Sequence, residues 1–280
     1  MLVIGEKINA TIPAVKAILQ WRNRGELIEL AERQVRAGAD QIDVNVGTGL
    51  GSREDEIAAM VWAIETIQQE LESPVCIDSP DPAVIEAGLK AREGRSSFIN
   101  STKAEDENLE KIVPLALRYE APLVALAMDE SGIPETLEGR IDACRKTVAV
   151  CLRLGLALES VYFDPLVIPV STDVKQGIVT LNCISAIKKI FPGAKTVTGL
   201  SNISYGLPAR SLLNAGFLYM AMFAGLDAVI MDPLVEEQMN AIRAGEVLIG
   251  KDRHCRRYTR AFRLRSQEAG REGETNGRRV

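Results

Sequence analysis

Eight polar residues of two closely related kinds recur along the chain: Asn9, Asn45, Asp78, Asn100, Asp129, Asp164, Asn202 and Asp232. Each ends a short strand-like segment. An ionised carboxylate only accepts hydrogen bonds, whereas a carboxamide donates and accepts. A ring of such groups would grip a ligand edge rich in N–H donors, as on a heterocycle, and would repel phosphate. The acids Asp43, Asp78, Asp164 and Asp232 also leave a magnesium site open. The amides interleaved with them favour hydrogen-bond readout of a heterocycle.

Other chemistries have little to stand on. His254 is the only histidine, and it lies close to the C-terminal end. Ser-His-Asp catalysis and His-ligated zinc are therefore not expected. A Schiff-base mechanism needs a desolvated lysine, and Lys7 is the one candidate within a strand. In a regular strand Glu6 and Ile8 share the face opposite Lys7, which turns Lys7 outward toward a helix. Gly199 and Gly206 flank Asn202 in a way that alone would be ambiguous for phosphate. Asp232 ends the last strand with no base nearby, which argues against a pyrophosphate.

The elements that must position the ring are legible as alternating strands and helices. The strand segments are LVIGEKIN, QIDVNV, PVCIDS, SFINST, PLVALAMD, VYFDPL, KTVTGLSN and AVIMDP, and a helical stretch follows each. Ile57, Val61, Ile64, Ile67 and Leu71 fall on one helical face, as do Leu137, Ile141, Cys144, Val148 and Cys151. Pro82 after Asp81 and Pro208 after Leu207 suit first helical turns. Unbroken alternation predicts parallel strands joined by right-handed crossovers. The count of eight favours an α/β fold of the (β/α)8 TIM-barrel type over an open doubly wound sheet. Such barrels carry their sites at the C-terminal ends of the strands. The stretch 212–225 is apolar nearly all round, which means deep packing or a subunit contact.

The 280 residues suit one barrel of about 250. No apolar run approaches the roughly 18 residues of a membrane span. The strand pattern starts at once, with no signal-peptide pattern ahead of it. Five cysteines without a CxxC pair read as mostly buried, reduced thiols, and a cytoplasmic location is expected. Residues 251–280 carry ten Lys/Arg against four Asp/Glu, while the chain as a whole has a net charge of −5. The basic end reads as a last amphipathic helix over 251–265 and a disordered tail over 266–280. Neither a nucleic-acid nor a membrane partner is expected.

Seven motifs stand in order and at barrel spacing: GEKIN (5–9), DVNVG (43–47), CIDS (76–79), FINST (98–102), FDPL (163–166), TGLSNISYGLPAR (198–210) and MDPL (231–234). Together they resemble the pterin-binding methyltransferases that move a methyl group from 5-methyltetrahydrofolate to a corrinoid protein. The folate-binding region of cobalamin-dependent methionine synthase has the same pattern. The resemblance covers about residues 1–265 and implies a pterin-binding barrel over 1–250. It implies that Asp78, Asn100 and Asp164 grip the pterin, with Glu6, Asn9, Gly199, Ser201 and Arg210 lining the pocket. Arg210 would also suit the acidic tail of the folate. Asn202 is implied as the catalytic residue, its amide bonded to N5 as charge develops there. The corrinoid (cobalamin) would arrive on a partner protein, the enzyme would need no metal of its own, and a homodimer is expected. Two alternatives are a dihydropteroate synthase-like enzyme and a non-catalytic folate-binding protein.

Overall fold

The computed structural model describes residues 1–47, 51–92 and 94–263. Eight parallel strands close into a barrel in chain order. They are β1 (Leu2–Asn9), β2 (Gln41–Asn45), β3 (Val75–Asp78), β4 (Ser97–Thr102), β5 (Leu123–Leu126), β6 (Val161–Asp164), β7 (Lys195–Gly199) and β8 (Ala228–Met231). Pairing of β1 with β8 completes the ring. The closed barrel expected from eight alternating units is thus observed. Two helices rather than one follow β1, α1 (Pro13–Gln20) and α2 (Arg24–Ala37). The later crossovers use α3 (Arg53–Glu70), α4 (Pro82–Ala91), α5 (Asp106–Arg118), α6 (Leu137–Leu154), α7 (Gln176–Ile190) and α8 (Arg210–Ala224). Helix α9 (Glu236–Leu248) follows β8, and residues 256–263 are helical. The rest of the expected basic tail lies outside the described residues.

Local signals explain where several helices start and stop. The Asn23 side chain caps α2 by accepting from the Glu26 N–H, and Gly38 ends it in the left-handed region. Ser52 and Asp55 form a reciprocal capping box at α3. Asp81 caps α4, with Pro82 in its first turn as expected. Pro208 differs: α8 begins only at Arg210, after Ala209 in a left-handed conformation. The proline therefore belongs to the loop after β7, not to the helix.

Period-two alternation divides the strands between two apolar layers. Ile42, Val44, Ile77, Ile99 and Phe163 point out and pack under the helices. Ile4, Cys76, Phe98, Val124, Tyr162, Val197 and Ala228 fill the barrel interior. Strand β1 breaks the alternation. Gly5 pairs with Ile42 and Ile8 with Val44, so Glu6 and Lys7 together oppose the single residue Asp43. Such a bulge shifts the side-chain phase by one. Ile8 consequently joins the outer layer while Glu6 reaches Ser201 at the barrel mouth. The premise that Glu6 and Ile8 share a face fails. Lys7 nonetheless borders the pocket between α1 and α2, while its Nζ lies 3.0 Å from Asp232 Oδ2.

Gln34 pins the bulge from α2. Its Oε1 accepts the Lys7 N–H at 3.0 Å, and a Cβ on Gly5 would stand 2.5 Å from that same oxygen. Gly5→Ala should therefore displace Gln34 and lower stability by about 1–3 kcal/mol, the usual cost of overpacking. Gly25→Ala is the control, because its nearest neighbour would be 3.8 Å away. Thermal melts of the two variants decide the point, and equal melting temperatures would discount the role of Gln34.

Candidate functional site

Strand register lines up the polar row. Asn9 pairs with Asn45, Asn45 with Asp78 and Asp78 with Asn100. Partners in a parallel sheet face the same side, so these four side chains share the inner mouth of the barrel. Asn45 Nδ2 donates to Asp78 Oδ2 at 2.8 Å, and Asn45 Oδ1 accepts the Gly47 N–H at 3.0 Å. The amide of Asn45 is thereby oriented with its donor toward Asp78. Asn9 Oδ1 accepts from the N–H and the hydroxyl of Thr11. One layer below, Asp43 Oδ1 accepts from Asn100 Nδ2 at 3.2 Å.

Among the described residues no cation pairs with the acids of this cluster, and their titration reflects their burial. Burial, then the neighbouring Asp78 charge, pushes the Asp43 carboxyl well above the usual range. Burial also raises Asp78, against the hydrogen bonds from Asn45 and Asp43. Two adjacent buried carboxyls cannot both ionise cheaply. Asp43 is the more enclosed of the pair.

Asp164 ends β6 on the opposite side of the mouth. Its Oδ1 accepts the Leu166 N–H at 2.8 Å. Burial nonetheless pushes its carboxyl up to about 6. The loop beyond it is held by Arg140 of α6, a fully buried side chain. Arg140 Nη1 donates to the carbonyls of Pro165 and Leu166 at 2.9 Å, Nη2 to Gln176 Oε1 at 2.7 Å, and Nε to the Pro134 carbonyl at 3.0 Å. Leu166 sits at φ 64°, a strained value for leucine that these bonds stabilise.

The β7 side differs in character. Strand β7 ends at Gly199, and Asn202 closes a short 3-10 turn, Leu200–Asn202, just beyond it. Ser201 Oγ donates to Glu6 Oε1 at 2.7 Å. Arg210 Nη2 donates to the Ser201 carbonyl at 2.6 Å and Nε to Ser204 Oγ at 3.1 Å. The turn is thus tied to β1 and to the start of α8. Burial raises the Glu6 carboxyl, while the Ser201 hydroxyl opposes the rise. The Asn202 carboxamide stays exposed, and no other described side chain bonds it. Its Nδ2 would lie 3.8 Å from a Cβ placed on Gly199, so Gly199 leaves room beside it.

The structure therefore gathers Glu6, Asn9, Asp78, Asn100, Asp164, Gly199, Ser201, Asn202 and Arg210 around one barrel end. Asp129 does not belong with them. Strand β5 ends at Leu126, and Asp129 accepts from Ser131 in the following turn and pairs with Lys146. Asp232 lies just past β8 and pairs with Lys7. Among the described residues no three His, Cys, Asp or Glu side chains gather as a metal site. The resemblance assigns no role to Asn45, Asp43 or Arg140. Asn45 was findable, because QIDVN places Asp43 and Asn45 on one face. The partners of Arg140 lie in three separate segments, which no local pattern reveals.

A match to the family of pterin binding enzymes spans residues 5–232. This chain belongs to the pterin-binding enzymes. Within that family it is 36% identical over 265 residues to the methylcorrinoid:tetrahydrofolate methyltransferase of Eubacterium limosum, covering 94% of this chain and 96% of that protein. It belongs with that relative among the methyltransferases of the family. It is also 31% identical over 261 residues to the methionine synthase of Mycobacterium tuberculosis, covering 86% of this chain but 22% of that longer protein. Among solved structures, 7,8-dihydropteroate synthase from Vibrio fischeri superposes with a TM-score of 0.70 at 20% identity, over 89% of this chain and 93% of that one. At that identity the likeness concerns the barrel alone.

Burial of Asp164 in this pterin-binding enzyme predicts a stability that depends on pH. A carboxyl raised to about 6 holds its proton longer in the folded than in the unfolded chain. Its contribution to stability is full below about pH 4 and is lost as pH rises through 6, up to roughly 3 kcal/mol. Asp164→Asn removes the titrating group, so its urea stability should fall less than that of the unmodified protein between pH 4 and 8. Parallel pH profiles for the two proteins would exclude the effect.

Proposed function

We propose that this protein moves a methyl group between N5 of a tetrahydrofolate and the corrinoid cofactor of a partner protein. The direction we assign is from methylcorrinoid to tetrahydrofolate, following the name of the E. limosum relative. The observation that carries the reading is the Asn202 carboxamide. It is exposed at the barrel mouth, unbonded among the described residues, on a turn fixed by Glu6 and Arg210. An amide held that way is ready to bond a ligand atom.

Asp78, Asn100 and Asp164 are assigned the pterin. Its amino and ring N–H groups are donors, which Asp78, Asp164 and the Asn100 carboxamide oxygen accept. Glu6 and Asn9 line the same pocket, with Gly199 and Ser201 below Asn202. Arg210, already bonded to the Ser201 carbonyl, acts first on the turn. Asn202 holds N5 while its charge changes. An amide does not titrate, so the proton is exchanged with water and Asn202 supplies only differential stabilisation. The corrinoid supplies the cobalt centre that takes or gives the methyl group.

The assay mixes the purified protein with 5-methyltetrahydrofolate and cob(I)alamin, and reads the loss of Co(I) absorption, or its reverse. Asn202→Ala should cut kcat by about tenfold to a hundredfold with a smaller change in KM, as for loss of a bond made mainly in the transition state. Asp78→Ala should chiefly raise KM. Folate binding without any acceleration over the protein-free mixture would favour a non-catalytic binding protein instead.

A homodimer is part of the proposal. Helices α7 and α8 leave Ile178, Leu212, Met220 and Phe223 exposed, Phe223 by 86%. Beside Phe223 runs a groove lined by Leu181, Ser185 and Tyr219. A two-fold axis would let each Phe223 enter the groove of the other copy. Sedimentation velocity should find a dimer that Phe223→Asp converts to a monomer. A monomeric unmodified protein would end this part of the reading.

A further inference from the structure

Asp43 is 3% exposed, and it lies in the layer beneath the four-residue polar row. Four groups touch or face it closely. Asn100 Nδ2 donates to it from β4 at 3.2 Å. From β3, the Cys76 thiol lies against it and the Asp78 carboxyl is within hydrogen-bonding reach. Glu6 faces it from β1 as a further acid. Among the described residues neither Asp43 nor Asp78 is paired with a Lys or Arg side chain. Two carboxyl groups in contact, enclosed and without a cation, have to share a proton. Asp78 already accepts Asn45 Nδ2 at 2.8 Å and is the more open of the two, so it is the better anion. The O–H then belongs to Asp43.

We propose that Asp43 is the positioning residue of the pterin pocket: as an un-ionised acid it donates its O–H to Asp78, accepts the Asn100 N–H, and so fixes how both present themselves to a ligand. This rests on the pterin-binding reading of the mouth. The consequence for Asn100 is specific. With its Nδ2 committed downward to Asp43, its Oδ1 is left to accept from a ligand. Asp78, held on two sides by Asn45 and Asp43, keeps its remaining lone pairs for ligand N–H groups. Asp43 does not touch the ligand, and its effect passes through these two neighbours.

A neutral amide can replace a neutral acid here. Asn at position 43 would accept from Asn100 through its oxygen and donate to Asp78 through its nitrogen, whereas Leu could do neither. The full chain is prepared unmodified and as Asp43→Asn and Asp43→Leu. Binding of 5-methyltetrahydrofolate is followed by protein fluorescence across pH. Asp43→Asn should bind within about twofold of the unmodified protein, and Asp43→Leu roughly tenfold to a hundredfold more weakly, the range for losing a hydrogen bond to a charged group. Raising the pH should weaken binding to the unmodified protein as Asp43 ionises, and Asp43→Asn should lack that loss. Difference infrared spectra provide a readout independent of ligand and of Leu-variant folding. The C=O band of an un-ionised carboxylic acid at neutral pH should be present in the unmodified protein and missing from Asp43→Asn. Absence of that difference, or an Asn variant as impaired as the Leu variant, overturns the proposal. If the unmodified protein fails to bind the folate, the pterin reading fails, while the infrared band still decides the state of Asp43.

Discussion

Lateral register is the constraint on which this site depends. Once β1 to β4 are paired as they are, Asn9, Asn45, Asp78 and Asn100 fall side by side without help from any loop. Backbone hydrogen bonds between strands set their spacing, so the row is as rigid as the sheet itself. Asn45 shows what this adds. It is no bystander at a strand end, because it orients the lone pairs of Asp78 by donating to one of its oxygens. The loops contribute a different element, the turn that carries Asn202.

The mouth is electrostatically divided. Around β2, β3 and β6 lie Asp43, Asp78 and Asp164, buried acids with raised affinity for protons. Around β7, β8 and β1 acids and bases meet, with Lys7 on Asp232 and Arg210 near Glu6. A ligand spanning the barrel end would meet hydrogen-bond acceptors at β3 and, across the mouth, at β6, with a compensated network along β7, β8 and β1 between them. Burial of the acids has a cost in stability, offset by the large apolar interior and the outer helical layer. Arg140 carries a related role outside the barrel, since its charge is desolvated to satisfy the carbonyls of the loop after Asp164.

The fold was legible because its signals are local and repeated: eight short apolar segments, each followed by helix-period sequence. Most of the site was legible too, because the strand ends carry it. What escaped the sequence required partners distant along the chain. The bulge in β1 escaped because Gln34, which pins it, lies 27 residues away. Gly5, the first residue of GEKIN, was the available signal, since glycine within a strand often marks such an irregularity. Asp129 was miscounted because β5 stops at Leu126 and an Asx-type turn with Ser131 follows. Pro208 looked like a helix start because proline marks turns as well as first helical residues. The family motifs, rather than strand ends alone, distinguished Asn202 from its neighbours.

The bulge in β1 amounts to a change of reading frame within a single strand. Below it, Ile4 obeys the parity needed to fill the barrel interior. Above it, Ile8 and Asn9 obey the opposite parity, one facing the helices and the other the mouth. An uninterrupted strand would have sent Ile8 into the mouth and Asn9 under the helices. The extra residue uncouples the two ends of β1, so that the packing of the barrel and the lining of its opening answer to separate sequence demands.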